Sequence, residues 1–400
     1  MNFPYFISKR ISTNEAGTFS STIHKVAVFS VAIGLGVMII AFAIMMGFKN
    51  TIKNKIYSFS GHIQITKYVN SNSYNENPLK FPEDLPLDEI ENVVPFSFKS
   101  GLIQTKDEVE GVLFKGVGNS FDTLSFKKYL TAGRFVKFKE EGYSTEVVLS
   151  RYLMNRLEFE LGDEFVMHFF QDPPRARKLK IVGVYESGME ELDTQILFGD
   201  IGLARRLNNW SPDYAGGYEV YLSGVEQIDP IHQKLYDKYG YDFYVQKTSN
   251  KFLQVFEWLS LIDNNVNILL FMVLFVASFN MISIILILIL ERTPMIGTLK
   301  ALGATNGLIR KIFIYNGMQM ILKGLLLGNV FGLGIAFLQW KFKLITLDPS
   351  NYYMSYVPIE FNLSVVVLLN LLVLGLVSSI LILPTLFVAR VEPIKAIKFD

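Results

Sequence analysis

Four histidines, His24, His62, His168 and His232, are the first candidates for proton transfer or metal binding, and their spacing supports neither. They form no HExxH pair and no comparable grouping with carboxylates, so a zinc site has no ligand set. Cysteine is absent, which removes thiol nucleophiles, disulfides and thiolate metal sites. The chain has no GxxxxGK[ST] cradle for nucleotide phosphates and no GxSxG nucleophile elbow. Glu190, Glu191 and Asp193 in GMEELDTQ could form a carboxylate site, though a solvated turn is the simpler reading. The residues that could do chemistry thus point away from it: the expectation is a chain with no catalytic residues, no metal and no cofactor of its own.

The elements that carry these residues explain why. Half of the 400 residues are hydrophobic, phenylalanine alone counts 33, and 38 Lys and Arg nearly balance 37 Asp and Glu. Mean hydropathy is positive, at +0.30. This is a membrane composition with no basic excess to attract nucleic acid. Uncharged runs cover Val26 to Phe48, Val266 to Leu290 and Phe361 to Ala389, and a fourth, Gly317 to Trp340, is broken only by Lys323. Each reaches at least ~34 Å as a helix, enough to cross a ~30 Å hydrocarbon layer. The first run is too long for a signal-peptide core and is expected to be retained.

Short basic flanks orient the spans. Lys9, Arg10 and Lys25 precede the first, Arg292, Lys300, Arg310 and Lys311 follow the second, and Arg390, Lys395 and Lys398 follow the fourth. All three flanks belong in the cytoplasm by the positive-inside rule. Lys49, Lys53 and Lys55 run against it, but they open a long segment whose translocation is largely indifferent to charge. The expected layout is a cytoplasmic segment at 1–22, spans at 23–48, 263–290, 314–340 and 361–389, an extracytoplasmic domain at 49–262, a cytoplasmic helix at 291–313, an outer loop at 341–360 and a cytoplasmic tail at 390–400. The fold class is an α-helical membrane protein with four transmembrane helices and a large α+β domain inserted between the first two.

Within that domain, β-branched or alternating runs predict strands at 62–68, 111–118, 146–150, 163–170, 177–186, 218–224 and 241–248, with helices around 150–161, 200–208 and 230–239. The polar stretch at 70–86 reads as loop. Apolar spacing at Ile52 and Ile56, and at Phe252, Val255, Phe256 and Leu259, predicts that spans one and two continue outward as helical stalks.

Inside the spans, Lys323 is read as snorkelling to the interface, and Asn267, Asn280 and Asn370 as interhelical hydrogen-bonding groups. Gly324, Gly328 and Gly332 form GxxxGxxxG, a close-packing face within the subunit or across a dimer. Pro384 is expected to kink or end the last span. Between spans two and three lies ERTPMIGTLKALGAT, Glu291 onward. Thr293 is placed as N-cap, Pro294 in the first turn and Gly303 as a left-handed stop. Met295, Leu299 and Leu302 share one apolar face, which needs a partner, either lipid headgroups or a groove on another protein.

Four blocks resemble one family in the right order: the first span through SGHIQI, VVLSRYLMNRLEFELGDEFVMHF with KIVGVYESGMEELD, ERTPMIGTLKALGAT with its following glycines, and the tail ARVEPIKAIKFD. They are similar to the lipoprotein-releasing ABC transporter permeases, LolC and LolE-like, within a superfamily that includes the MacB-type exporters and FtsX-type cell-division permeases. The resemblance implies a second permease subunit, identical or homologous, and a cytoplasmic ABC ATPase that holds ATP and magnesium. It makes Glu291 to Ala304 a coupling helix, with Glu291, Met295, Gly297, Leu299, Leu302, Gly303 and Ala304 meeting the ATPase. It also implies an inner-membrane location in a diderm bacterium, a lipoprotein substrate beside Phe42, Met45, Met46 and Phe48, and handover to a periplasmic carrier. The carrier-recruiting subunit has a protruding loop after the strand matching DEFVMHFF. Here only about Gln171 to Arg177 remain, with Pro173, Pro174, Arg175 and Arg177 compatible with a small docking site. Two other readings in the same superfamily are an efflux permease for amphiphiles or peptides and a non-transporting activator of a cell-wall hydrolase.

Overall fold

The computed structural model describes residues 3–13, 19–68, 76–80, 89–105, 108–139, 142–348 and 352–390. Most of the 70–86 stretch and the tail from 391 lie outside them. The chain divides into two compact units, 1–49 with 258–346 and 356–400, and 50–257 with 347–355.

The first helices are α1, Phe3–Thr13, and α2, Phe19–Ser60. No proline falls between Phe19 and Ser60, so nothing interrupts the hydrogen-bond ladder as apolar sequence gives way to NTIKNKIYSFS. The strands that follow are β1, Ile63–Thr66; β2, Leu79–Lys80; β3, Asn92–Gln104; β4, Val109–Val117; β5, Leu130–Gly133; β6, Glu146–Ser150; β7, Glu164–Phe169; β8, Arg175–Tyr185; β9, Ile196–Asp200; β10, Tyr214–Ala215; β11, Gly217–Tyr221; and β12, Tyr244–Lys247. Between them lie the helices α3, Thr123–Phe126; α4, Arg151–Arg156; α5, Glu190–Asp193; α6, Ile201–Asn208; α7, Ile228–Tyr239; and α8, Thr248–Lys251. The predicted helix at 150–161 is only α4, begun by the Ser150 hydroxyl, which accepts from the Leu153 amide.

All the strands except β2 and β10 join one mixed sheet, in which β4 with β9 and β6 with β8 are the parallel pairs. β7 pairs with both β3 and β8, so β3, β4, β9, β6, β8 and β7 close into a ring. At the closing pair, a Cβ on Gly101 would lie 2.6 Å from the His168 carbonyl oxygen, a separation that only glycine permits. The ring encloses Ile103, Phe114, Leu149, Met167, Phe169, Ile181 and Leu197. A second core, with Ile63, Ile65, Tyr218, Val220, Ile231 and Leu235, sits where β11, β1 and β12 meet α7.

The later helices are α9, Leu253–Glu291; α10, Thr293–Ala301; α11, Asn306–Phe342; α12, Leu363–Ile380; and α13, Ile382–Thr385. Four helical stretches, Thr22–Ser60, Leu253–Glu291, Asn306–Phe342 and Leu363–Val388, are long and apolar enough to cross a membrane. The break at Leu381 between α12 and α13 precedes Pro384, whose missing N–H cannot continue the ladder. One cluster holds this unit together, with Val31, Leu35, Met281, Ile285, Phe313, Ile321 and Val377 at its centre.

Candidate functional site

No group of three or more His, Asp or Glu residues among the described residues is arranged to hold a metal. The groups singled out by sequence serve the fold instead. Asp193 accepts from the Ser187 and Gly188 amides at 3.1 and 2.9 Å and is buried, while Glu190 and Glu191 are exposed, so the turn is braced from within by one carboxylate and solvated at the other two. His62 accepts the Leu222 amide at Nδ1 and stacks near Tyr57, and burial pushes its pKa down to about 4.

The helix between spans two and three departs from expectation at its start. Arg292 occupies the N-cap position, and the Thr293 hydroxyl donates back to the Leu290 carbonyl at 2.7 Å, so it caps nothing forward. Its end is as predicted. Gly303 takes φ +91°, its N–H reaches the Lys300 carbonyl, and the Ala304 N–H reaches the Leu299 carbonyl, the paired bonds of a Schellman stop. Ile296 and Gly297 are buried, and Met295, Leu299 and Ala304 pack on the same cluster as the spans. Leu302, 80% exposed, does not share their face, because the helix ends at Ala301 and its backbone has left the helical path. The single predicted apolar face is thus two: Met295 and Leu299 are spent inward, while Glu291, Pro294, Thr298 and Leu302 are left outward. Lys300, read from the sequence only as a flanking cation, donates to the Val388 carbonyl at 2.9 Å and ties the helix to the end of the last span.

The glycine stripe faces span one. A Cβ on Gly324 would meet Val31, one on Gly328 would lie 2.8 Å from the Ala32 carbonyl oxygen, and one on Gly332 would lie 3.0 Å from Gly36 Cα. Gly334 has open space around it. Asn280 donates to Ser30 Oγ at 2.8 Å, Asn370 and Asn329 exchange amide hydrogen bonds, and Asn267 makes none among the described residues. Lys323 is exposed on α11.

Phe42 and Met46 line a crevice with Leu333, Phe361 and Val366, but its volume of about 10 Å³ has room for roughly one water and no acyl chain. Phe48 is buried edge-on to Trp258 at 5.5 Å, and Met45 is half-buried. Nearby, Lys49 Nζ meets Asp263 at 2.5 Å, joining α2 to α9.

In the second unit, the end of α2 is held by side chains whose importance the sequence did not signal. Lys115 Nζ, from β4, donates to the Phe59 carbonyl and, at 2.6 Å, to Glu219 Oε1 of β11. The two residues are 1% and 0% exposed. Gln64 and Thr248 both donate to the Ser60 carbonyl, so carbonyls left over at the helix terminus find partners in the sheet and at the start of the next helix. Lys55 Nζ donates to the Ser187 and Tyr353 carbonyls at 2.6 and 2.5 Å, binding segment 347–355 to the turn before α5.

The hairpin between β7 and β8 is only 170–174, shorter than the sequence reading. Pro173 and Pro174 are exposed, whereas Arg175 is half-buried and already engaged. It donates to the Arg206 and Leu207 carbonyls and to Asn209 Oδ1, closing the C-terminus of α6 where a cation is favoured. Arg177 donates to its neighbour's carbonyl.

Comparison with known proteins adds relatives to this geometry. Residues 26–238 match the MacB-like periplasmic core domain family and residues 267–393 the FtsX-like permease C-terminal family. The lipoprotein-releasing system transmembrane protein LolE of Haemophilus influenzae is 24% identical, over 98% of this chain and 98% of that one. LolC of Neisseria meningitidis is 22% identical over 96% and 95%, and LolC of Haemophilus influenzae 23% identical over the full length of both.

Proposed function

We propose a function from one premise: the chain belongs to the FtsX/MacB superfamily of ABC transporter permeases, with a MacB-like periplasmic core domain between its first two spans. It is a multi-pass inner-membrane permease of that type, a class of subunit that is not itself catalytic, and membership implies an ATPase partner and a second permease. Our reading is that the chain extracts lipoproteins from the inner membrane toward a periplasmic carrier, with its termini in the cytoplasm and ATP and magnesium on the ATPase. Removing one 16-carbon acyl chain from a bilayer costs roughly 12 kcal/mol at ~0.8 kcal/mol per methylene, so release of an acylated anchor needs a motor. The observation that carries the reading is the short, stopped α10, whose outer face of Pro294 and Thr298, with Glu291 just before the helix and Leu302 at its C-cap, is exposed while Ile296, Met295 and Leu299 pack into the spans. ATP-driven closure would push on that face, and α2 and α9 would carry the displacement into the inserted domain. The carrier, on this reading, meets Phe170, Pro173 and Pro174 rather than Arg175.

The test replaces the native chain by its Leu302→Asp variant. Loss of the co-purifying ATP hydrolase, with triacylated lipoproteins retained in the inner-membrane fraction, is expected. Intact co-purification overturns the coupling role. Normal lipoprotein sorting after depletion of the whole protein, with new sensitivity to amphiphiles, supports the efflux reading instead.

A further inference from the structure

The inserted domain has a cleft of about 420 Å³ beside α6 that neither the coupling helix nor the stalks use. Its walls include Lys139, Arg205 and Arg206 together with the rings of Phe138, Tyr143 and Trp210. The acid within it is already engaged: Asp200 accepts the Gly202 amide at 2.8 Å and the Ser144 amide at 2.7 Å, capping α6. Asp213 adds a second negative charge near Arg205. Arg205 Nε donates to the Tyr214 carbonyl at 2.7 Å, which fixes the guanidinium plane. Tyr218 and Asp200 act on the same guanidinium electrostatically, but its terminal nitrogens, and the cationic heads of Arg206 and Lys139, make no hydrogen bond or ion pair among the described residues. Burial pushes the Arg205 guanidinium below its ordinary value, the mark of a cation held partly out of water.

We propose that this cleft binds an acidic polypeptide segment. A fixed guanidinium fork matches a carboxylate in two-point geometry, and two further cations beside it suit more than one acidic side chain. Three aromatic rings provide apolar area that a bare inorganic anion would leave unused, whereas the residues flanking acidic side chains in a peptide would cover it. The volume lies within the range of ligand clefts and accommodates a few residues rather than a folded partner. Binding here needs no transport, so the proposal stands or falls separately from lipoprotein release.

The experiment uses the full chain in detergent, with Trp258→Phe and Trp340→Phe so that Trp210 is the sole indole. A short peptide of alternating Glu and Leu is titrated in, with a Lys/Leu peptide and inorganic phosphate as comparisons. Saturable change in Trp210 emission by the acidic peptide is expected. So is affinity weaker by about tenfold or more in Lys139→Gln/Arg206→Gln, whose exposed side chains are not needed for folding. Equal binding of the Lys/Leu peptide, or an unchanged affinity in the double variant, overturns the proposal. Displacement by phosphate at the same concentration as the peptide reduces the cleft to a simple anion site and overturns the peptide assignment.

Discussion

Lys115 sits in a strand core where a lysine is costly unless paired, and both of its bonds go to groups that cannot easily be satisfied otherwise: a helix-end carbonyl and the fully buried Glu219. Lys115→Met leaves the buried Glu219 without its ion-pair partner, with Gln64 and Tyr221 as its remaining hydrogen-bond donors, and is expected to cost about 3–5 kcal/mol, read as a fall in melting temperature. The double variant Lys115→Met/Glu219→Met should recover most of that loss, since an apolar pair of similar volume removes the desolvation cost. Two further residues set opposing pH responses. His62, held near 4 by burial, contributes stability that is present above about 6.5 and lost as pH falls toward 4. Glu76, which accepts the Ser97 hydroxyl, is pushed up to about 7 by burial, and its contribution is present below about 4.5 and lost as pH rises through 7. Melting curves of Glu76→Gln should therefore show a smaller loss on raising pH, and those of His62→Gln a smaller loss on the acid side. A Glu76→Gln profile that declines on raising pH from about 4.5 to 7 as steeply as the parent's would remove that assignment.

Among the elements, the glycine face of α11 gives the sharpest contrast. Gly332→Ala forces a methyl group against the backbone of α2 and should destabilise the helix pair, while Gly334→Ala meets nothing within 4 Å and should be neutral or slightly stabilising through its helix propensity. Equal melting temperatures for the two variants would show that the helices can separate at no cost. GxxxGxxxG was legible in sequence because spacing alone defines a stripe. Which helix it faces was not, since that depends on contacts distant in the chain. β3 was missed for a related reason. Pro95 interrupts its strand pattern, and Lys99, like Lys115 in β4, reads as a solvated position although both are buried. The end of α10 was legible because a glycine stop is local, whereas its two-sidedness was hidden by the cluster of spans that covers Met295 and Leu299.

At the scale of the whole molecule, composition and run lengths were enough to outline four apolar helices with an α+β domain between the first two. The apparent exception to the charge rule also has a structural account: Lys49 is spent on Asp263 and Lys55 on two carbonyls, so these cations serve the fold where they stand. What no local pattern announced is that the second compact unit is discontinuous, taking 347–355 from beyond the third span. Lys55 bonds to that distant segment at Tyr353, and Gly188 lies close to the same carbonyl. Excising the domain as a single stretch, 50–257, would therefore strip away one of its own walls, leaving Lys55 with half its acceptors and the turn before α5 uncovered. Such a fragment should melt below one supplied with residues 347–355, either as a fused tail or as a free peptide. A soluble domain prepared by cutting at the apparent span boundaries would be an incomplete object, and affinities measured on it would describe a surface that the intact chain keeps covered.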